Sequence, residues 1–540
     1  MIAAWSACTP PPPASGPDGS PTTASADPVD GGSTPLDGSS PSTTAGTPPT
    51  VLDPYVQPAV WVEPQVPVPG GSLTVHYAGP LAHAAALTLH YGWNGWNEQP
   101  GFDTELVGYD TVWFADAPMT PTASGYDAVL PVPLDARALH FVVHDPVTDA
   151  WDSRDGLDYH ASIVFPYVGP WLMPLADGSV DVGFETSVPC LGVVEYGATP
   201  ALGQLAVGAV FGTVHHVRIL ATGELWYRVR DSAGTTTEIR RAVIPAPDED
   251  ALRIVAVSDL QDNGDDRRWS DVAAEIVAHD PGLILVAGDL AADDLPGLWW
   301  TMFDKGRELF ATVPVAPAVG NHDTPGSGHD PDTSDFLRYF PLGDAPWSAI
   351  DVGPAHLVLL STETGDDFGA DGVQFEFTDA DLERADPDRW TIPTFHVPPY
   401  DAGTRHGGEQ ATTRGLTALF DGRADVVVTG HEHLYQRMLP LRYDGQVVDT
   451  YGRGAAQGVL YYVLPPGGNW PESEIYPDGA VERDRLAYPP VTPGSDLVPS
   501  EIGFVVLELG PDALVAETWQ GGTIDAPIPF RVTDRATIER

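Results

Sequence analysis

Short segments of alternating apolar and polar residues fill the chain from about residue 58 to residue 163. Segments such as GSLTVHYAG, ALTLHYGWN and ALHFVVHD follow the period of two that is typical of strands with one face in a core. Turn residues separate these segments at short intervals. The pattern therefore predicts an all-β sandwich over residues 58–163.

A second strand-rich unit follows over residues 164–246. It contains the segments GSVDVGFETSVPCLGVVEYG, HHVRIL and ELWYRVRD, and its length and strand spacing suit a fibronectin-like sandwich. We expect this unit to support the part that follows it. His215 and His216 are therefore interpreted as structural residues.

The pattern changes at about residue 251, where strand and helix signals begin to alternate. RIVAVSDLQD and GLILVAGDL are continuous apolar runs, typical of buried strands, whereas WSDVAAEIVAHD and LPGLWWTMFDKGRELFAT predict helices. Such alternation predicts an α/β domain with buried sheets over residues 247–540. The segments GVLYYVLPPGG and FVVLELGPDALVAETWQGGTID are expected to close the second sheet of this domain.

The first 57 residues contain Pro, Ser, Thr, Gly and Asp and almost nothing that could form a core. This composition predicts a disordered leader and linker over residues 1–57. The opening MIAAWSAC resembles the end of a bacterial lipoprotein signal, in which Cys8 would carry a lipid anchor. The alternative is an incidental cysteine. With the lipoprotein interpretation, the protein is extracytoplasmic, either secreted or anchored at a bacterial cell surface or in a periplasm.

The charge of the chain limits its partners. It has 76 acidic and 26 basic residues and a net charge of −50, which argues against nucleic acid and anionic membranes as partners. A phosphate-handling site in such a chain needs positive charge from another source, most simply metal ions. The acidity is equally well explained as an adaptation to solubility or salt. The two cysteines provide no disulfide framework, and no apolar run has the length of a membrane-spanning helix.

Polar residues with oxygen or nitrogen ligands follow the predicted strands of the α/β domain. On its own, the segment TGHEHLYQ is equally consistent with two hydrogen-bonded loop histidines. Five strand ends with such residues are harder to explain by packing, and the mixture of carboxylates and imidazoles favours Zn, Mn, Fe or Co over Mg or Ca. The number of candidates indicates two ions that share a bridging carboxylate. The candidates are Asp259, Gln261, Asp289, Asn321, His322, His396, His431 and His433.

The order of GD, GNHD, a lone histidine and GHEH resembles the calcineurin-like metallophosphoesterases over roughly residues 251–465. Within that superfamily the chain looks most like the purple acid phosphatases, whose N-terminal domain has a GP-x-L start and a V-E-Y-G strand like those of residues 164–246. The resemblance implies two packed mixed sheets flanked by helices. It also implies a binuclear centre of Fe, Zn or Mn that hydrolyses phosphate esters with a metal-bridging hydroxide.

The resemblance also implies a role for each residue. Asp259, His433 and, more weakly, Gln261 correspond to ligands of the first ion. Asp289 corresponds to the bridge, and the second ion corresponds to Asn321, His396 and His431. His322, oriented by Asp323, would protonate the leaving oxygen or bind the phosphate, and His406 in HVPPYDAGTRHGGE would face the substrate. Two positions depart from the purple enzymes, which tend to have glycine at Gln261 and a tyrosine at Ala292. We therefore expect a colourless or faintly coloured protein.

The first β unit carries an unusual set of aromatic residues. Its HYGWNGWN and HFVVHDPVTDAWDSRDGLDYH segments resemble the starch-binding carbohydrate modules of the family-25 type. The resemblance implies that Trp93, Trp96 and Trp151 stack on the sugar rings of an α-glucan or another polysaccharide. The alternative is that they are core residues. A different function for the whole chain is then a surface polysaccharide-binding protein whose phosphoesterase domain is degenerate.

Overall fold

The computed structural model describes residues 59–64, 67, 71–93, 115–132, 138–153, 159–162, 167–231, 236–261, 268–292, 296–325, 331–363, 372–402, 413–443, 445–472, 483–489, 501–522 and 528–540. The predicted leader with Cys8, together with Trp96 and His406, lies outside these residues. Within them, a largely β N-terminal part precedes an α/β part, as the sequence predicts. No helix in the described ranges is long and apolar enough to cross a membrane.

The first β part consists of two antiparallel sheets. Its strands are β1 Val60–Glu63, β2 Ser72–Tyr77, β3 Thr88–Trp93, β4 Ala115–Pro118, β5 Thr120–Pro121, β6 Tyr126–Pro131, β7 Ala138–Asp145, β8 Ala150–Asp152 and β9 Tyr159–Ser162. One sheet has the order β1-β2-β6-β5 and the other β4-β3-β7-β8, with β9 also paired to β7. Val75, Leu89 and Phe141, which come from both sheets, belong to one buried core because alternate residues of each strand point to the same side.

The second β part is one five-stranded antiparallel sheet. Its strands are β10 Tyr167–Pro174, β11 Val180–Gly197, β12 Gln204–Ile219, β13 Gly223–Arg230 and β14 Arg240–Ile244. The long β11 pairs with β12 along one edge, and with β10 and then β13 along the other. Irregular register after Glu185 and after Leu191 marks bulges, which bend a strand. Side chains of β10 to β14 enclose a core that includes Phe184 and Tyr227.

The α/β part contains two mixed sheets. Its strands are β15 Leu252–Val257, β16 Leu283–Ala287, β17 Val315–Ala318, β18 Ser348–Val352, β19 Ala355–Leu359, β20 Trp390–Thr394, β21 Val426–Thr429, β22 Gln436–Met438, β23 Leu460–Val463, β24 Leu486–Tyr488, β25 Ile502–Leu509, β26 Ala513–Gly521 and β27 Arg531–Glu539. The six-stranded sheet has the order β17-β16-β15-β25-β26-β27. The seven-stranded sheet has the order β18-β19-β20-β21-β23-β22-β24.

Helices cover the outer faces of these two sheets. They are α1 Arg268–Ala278, α2 Pro296–Lys305, α3 Arg307–Thr312, α4 Ser334–Tyr339, α5 Val373–Arg384 and α6 Thr417–Phe420. Between the sheets lies a core that includes Ile254, Leu357 and Val428. Trp269 and Trp299 belong to the core on the outer face of the six-stranded sheet. Leu382 lies in the core outside the seven-stranded sheet. The strands β16 and β17 are apolar and buried throughout because both of their faces are covered.

The second β part is joined to the α/β part by aromatic contacts. Trp171 of β10 is fully buried and stacks on Phe303 of α2 with ring centroids 4.2 Å apart. Its indole Nε1 donates a hydrogen bond to the Tyr339 carbonyl at 3.1 Å, and Tyr227 Oη donates one to the Ala311 carbonyl at 2.7 Å. Each contact buries an aromatic ring and gives its polar atom a partner. The second β part therefore supports the helices of the α/β part.

Two details of the α/β part differ from the sequence prediction. The single helix expected from LPGLWWTMFDKGRELFAT is two helices that meet at Gly306. The closing strands also divide between the sheets, because β23 pairs with β21 in the seven-stranded sheet whereas β25 pairs with β15 in the six-stranded sheet. Both sheets require apolar strands, so the pattern cannot distinguish which sheet a closing strand joins.

Candidate metal centre

The candidate ligands meet because five parallel strands end at the same region. β15, β16 and β17 run parallel in one sheet, and β20 and β21 run parallel in the other. Each strand is followed within a few residues by a polar side chain, so the site is built from the carboxyl ends of strands in both sheets. The side chains that the structure brings together are Asp259, Gln261, Asp289, Asn321, His396, His431 and His433.

Four of these residues converge on one point. His396 Nε2 lies 3.2 Å from Asp289 Oδ1 and 3.1 Å from Asn321 Oδ1. His431 Nδ1 lies 3.1 Å from the same Asn321 oxygen and 3.3 Å from His396 Nε2. All four side chains are buried. Carboxylate, amide and imidazole ligands in this arrangement suit a transition-metal ion.

A second group lies on the other side of Asp289. His433 Nε2 is 3.4 Å from Asp259 Oδ1, and Gln261 Nε2 donates a hydrogen bond to Asp289 Oδ2 at 2.6 Å. Asp289 therefore contacts the first group with Oδ1 and the second group with Oδ2. Asp259, Asp289 and His396 offer ligand atoms that all lie within 4.8 Å of one another. These three residues form a candidate metal-binding group.

The electrostatics of the buried groups favour a cation beside these carboxylates. Burial favours the neutral acid at Asp289, but the His396 and His322 rings hold the pKa of this carboxyl well below its usual range. Burial disfavours a charged His396, yet the Asp289 carboxylate raises the pKa of the imidazole to about 10. At Asp259, a hydrogen bond from His433 overcomes the effect of burial and lowers the pKa of the carboxyl. These carboxylates thus remain ionised and attract a proton or a metal ion.

Two further observations are compatible with a metal ion at this point. His396 Nδ1 lies 2.8 Å from the Ala287 carbonyl, which only accepts, so Nδ1 carries a hydrogen and Nε2 is the ring atom that could bind an ion. Gln261 Oε1 is buried with no hydrogen-bond partner among the described residues, although its amide nitrogen is bonded. A buried acceptor without a partner is costly, and a metal ion or its ligand water would satisfy it.

The backbone adopts unusual conformations at the ligand positions. Asp259, Asp289 and His431 have φ of 53°, 56° and 71°, the left-handed region that residues with a side chain rarely adopt. Two glycines permit the close approach of these turns. A Cβ at Gly320 would lie 2.2 Å from Asp289 Oδ1, and a Cβ at Gly430 would lie 1.8 Å from Ser258 Oγ. A side chain does not fit at these two positions, so GNHD and GHEH require glycine there.

The structure orients His322 differently from the sequence expectation. Its ring nitrogen Nδ1 lies 2.8 Å from the Ala292 carbonyl, and its backbone amide donates to Asp289 Oδ1 at 2.9 Å. Asp323 instead accepts hydrogen bonds from the amides of Leu290 and Ala291 at Oδ1 and from Gly320 at Oδ2. A backbone carbonyl rather than Asp323 thus orients the His322 ring, and Asp323 holds together the two loops that carry Asp289 and Asn321.

A loop that the sequence reasoning overlooked borders the site. The amides of Gly468 and Asn469 donate hydrogen bonds to the Asp259 carbonyl at 2.9 and 3.0 Å. The Glu472 amide donates to the His433 carbonyl at 2.7 Å. The loop after β23 therefore fixes the backbone of two candidate ligands. Its only signal is the GGN segment after an apolar strand, which resembles an ordinary turn, and the Asn469 side-chain oxygen accepts a hydrogen bond from the Trp470 amide.

Comparisons with known proteins agree with this fold. Residues 252–435 match the family model described as Calcineurin-like phosphoesterase. Among curated proteins, Purple acid phosphatase 22 of Arabidopsis thaliana is 28% identical over 271 residues, which cover 45% of this chain and 60% of that protein. Acid phosphatase type 7 of Homo sapiens is 31% identical over 163 residues, which cover 25% of this chain and 35% of that protein. The chain therefore contains a calcineurin-like phosphoesterase domain and is similar, within that class, to purple acid phosphatases.

A solved structure extends the likeness in fold. The structure of purple acid phosphatase PPD1 from yellow lupin (Lupinus luteus) seeds has a TM-score of 0.60, with 16% identity. The match covers 89% of this chain and 96% of that chain. The chain spans about 60% of the length of the first curated relatives that it matches.

The close approach at Gly320 gives a prediction about metal binding. Gly320→Ala should weaken Zn²⁺ affinity by about 10–100-fold, because the added methyl group displaces the Asp289 carboxylate. Equilibrium dialysis of the purified variant with Zn²⁺ measures the affinity. Gly212→Ala is the matched control, since the nearest atom to its Cβ is 3.8 Å away. Equal metal affinity in both variants would contradict the proposed geometry.

Proposed function

We propose that the chain is a binuclear-metal-dependent phosphoesterase that hydrolyses phosphate esters. The observation that carries the proposal is the pair of contacts made by Asp289, with Oδ1 facing His396 and Oδ2 facing Gln261. A carboxylate between two groups of ligands is suited to hold two ions side by side. The similarity of residues 252–435 to calcineurin-like phosphoesterases supports the same function.

The two ions have separate ligand groups in this proposal. Asp259, His433 and the Gln261 oxygen would hold the first ion, Asn321, His396 and His431 would hold the second, and Asp289 would contribute to both. When bound, such ions neutralise the phosphoryl oxygens and supply a nucleophilic water of lowered pKa. The metals are Fe, Zn or Mn. Ala292 stands where the purple enzymes have tyrosine, so we propose a centre without the purple colour.

The remaining site residues act on protons and on position. His322 donates its Nδ1 hydrogen to the Ala292 carbonyl, so Nε2 is the ring atom that exchanges a proton with the leaving oxygen. Asp323 accepts hydrogen bonds from backbone amides and so positions the loops that carry Asp289 and Asn321. His406 is proposed to face the substrate, as the resemblance of its segment implies.

The division of the chain belongs to the same proposal. We propose sandwich domains over residues 58–163 and 164–246 and a catalytic domain over residues 247–540. The two sheets around one core support the first boundary, and the separate core of β10 to β14 supports the second. An extracytoplasmic location and a lipid at Cys8 rest on the sequence of the leader alone.

A second candidate function, polysaccharide binding by residues 58–163, is favoured by one observation. Trp151 is 50% exposed, and its ring stacks on the His144 ring with centroids 4.0 Å apart and planes 14° apart. An exposed, laterally supported indole is suited to stacking on a sugar ring. Trp93, by contrast, packs against the core of this part and is assigned to structure.

The first prediction concerns activity and metal. The full chain should hydrolyse p-nitrophenyl phosphate, and EDTA should abolish the reaction. Asp289→Asn should bind neither ion in elemental analysis, because one carboxylate serves both sites. Asp425→Asn is the control, since Asp425 is a buried carboxylate at the opposite end of β21, where it binds Arg453.

Two results would reject this assignment. One is the absence of turnover with Zn, Mn or Fe supplied between pH 4 and pH 9. The other is full metal occupancy in Asp289→Asn. A metal-free wild-type protein that binds polysaccharide would instead favour the degenerate phosphoesterase.

The second prediction separates chemistry from metal binding. His322→Ala should keep both ions and lose about 10²–10⁴ in kcat on alkyl phosphates, because the leaving oxygen then lacks its proton donor. The loss should shrink on p-nitrophenyl phosphate, whose leaving group needs little protonation. Steady-state kinetics on both substrates measure the difference. An unchanged rate on the alkyl phosphate would remove His322 from the mechanism.

The third prediction concerns sugar binding. Trp151→Ala should weaken the binding of the full chain to amylose by about 0.5–1.5 kcal/mol, because one aromatic stacking face is lost. Retardation in an amylose-containing gel measures this binding. Val147→Ala is the control and should bind like the wild type, because Val147 is 71% exposed between β7 and β8 and has no ring to stack on a sugar. A well-folded wild-type chain that binds no starch, cellulose or cell-wall polymer would end this candidate function.

A further inference from the structure

The C-terminal end of α4 receives hydrogen bonds from the second β part. His216 of β12 places Nε2 2.8 Å from the Arg338 carbonyl. Trp171 of β10 donates a hydrogen bond from Nε1 to the next carbonyl, that of Tyr339, at 3.1 Å. The last carbonyls of an α-helix have no partner within the helix and form the negative end of its dipole. Two strands of the second β part therefore cap this helix.

Both ring nitrogens of His216 face hydrogen-bond acceptors. Nδ1 lies 2.5 Å from Asp181 Oδ2, and Nε2 faces the Arg338 carbonyl. We call these two contacts the His216 bridge. A carboxylate and a carbonyl only accept, so both contacts are hydrogen bonds only when each ring nitrogen carries a hydrogen. A neutral ring has one N–H and leaves its other nitrogen lone pair against an oxygen. The His216 bridge therefore requires the charged imidazolium.

The immediate neighbours of His216 favour this charge. Burial opposes a charged ring, but the hydrogen bond and the charge of Asp181, together with the Arg338 carbonyl, raise the pKa of His216 above its usual value. Asp181 is itself buried. The adjacent His215 does not compete for the proton, because burial and then the charge of His216 lower its pKa to about 4. One of the two histidines is thus charged and the other neutral.

The other charged groups at this junction have partners of their own. Arg218, two residues along β12, pairs with Asp177 at 3.0 Å. The Arg338 side chain lies 3.7 Å from Glu185 Oε1 and 3.8 Å from Asp335 Oδ1. Burial raises the pKa of Glu185, so this carboxyl also binds a proton at a higher pH than usual. A test must therefore separate the imidazole from Glu185 by substitution and not by pH alone.

We propose that the His216 bridge is a pH-sensitive contact, which holds the second β part to the end of α4 when the ring is charged and releases it when the ring is neutral. A histidine whose pKa is raised by folding contributes its full stabilisation below about pH 6.5, the value of the unfolded chain. That contribution is lost as the pH rises through the value of the folded protein. The bridge is therefore closed in acid and open in alkali.

The position of α4 makes this contact relevant to the candidate metal centre. α4 follows the GNHD segment, which carries Asn321, along the chain. Opening of the bridge therefore loosens a helix that continues from a candidate ligand loop. The proposal is nevertheless independent of the phosphoesterase assignment, because neither His216 nor Asp181 is a candidate ligand.

Hydrogen–deuterium exchange of the full chain between pH 6 and pH 9, followed by mass spectrometry and corrected for intrinsic rates, tests the proposal. Protection of the α4 amides in the wild type should fall by about tenfold across this range, because the helix cap is lost with the charge. His216→Gln should show low protection throughout, since its amide has no proton to lose. Asp181→Asn should move the fall to lower pH, because the ring loses the carboxylate that favours its charge. Circular dichroism verifies that each variant is folded.

His76→Gln is the matched control, because His76 pairs with Asp127 at 2.8 Å within the first β part. It should leave the protection of α4 and its pH dependence unchanged. The fall should also persist in EDTA, which separates the bridge from metal binding. The proposal is overturned if α4 is equally protected at pH 6 and pH 9, or if EDTA abolishes the fall. It is also overturned if His216→Gln keeps the fall, if His76→Gln loses it, or if a folded Asp181→Asn titrates like the wild type.

Discussion

The contact between the Asp289 carboxylate and its neighbours is the interaction on which the α/β part depends. Asp289 follows β16 of the six-stranded sheet, and His396 follows β20 of the seven-stranded sheet. Their side chains meet at 3.2 Å in a fully buried place. Carboxylate oxygens and imidazole lone pairs that lie this close together repel one another unless a cation lies between them. Folding of the two sheets against each other therefore creates a demand for positive charge that the acidic chain does not meet with Lys or Arg.

Much of this arrangement could be predicted from the sequence. Each ligand follows a strongly apolar strand, and the glycines of GD, GNHD and GHEH mark sharp turns, so the residues that converge were identifiable by type and order. The largely β beginning and the α/β end were predictable for the same reason, since period-two alternation and buried runs are strong signals. The position of Asp323 was not predictable. A buried aspartate beside a histidine suggests a pair, whereas three backbone amides in fact take its oxygens.

Long-range pairing explains the other differences. The strands β23 and β25 are similarly apolar, and only tertiary packing decides that they enter different sheets. The loop of Gly468 and Asn469 acts through backbone amides, which have the same chemistry in every residue and leave no side-chain signal. Trp93 and Trp151 illustrate the same limit, because both stand in similar aromatic segments, yet one packs on a core and the other is half exposed.

The origin of the ligands in both sheets has a consequence for the stability of the protein. An ion held by groups from the two sheets would bind only when the sheets are packed together, so each ion of the proposed centre would add RT ln(1 + [M]/Kd) to the free energy of unfolding, where [M] is the free metal concentration. At a free metal concentration 100 times the dissociation constant, this amounts to about 2.7 kcal/mol per ion. With the proposed centre, metal supply in the surroundings would therefore set the fraction of the chain that is folded as well as its activity.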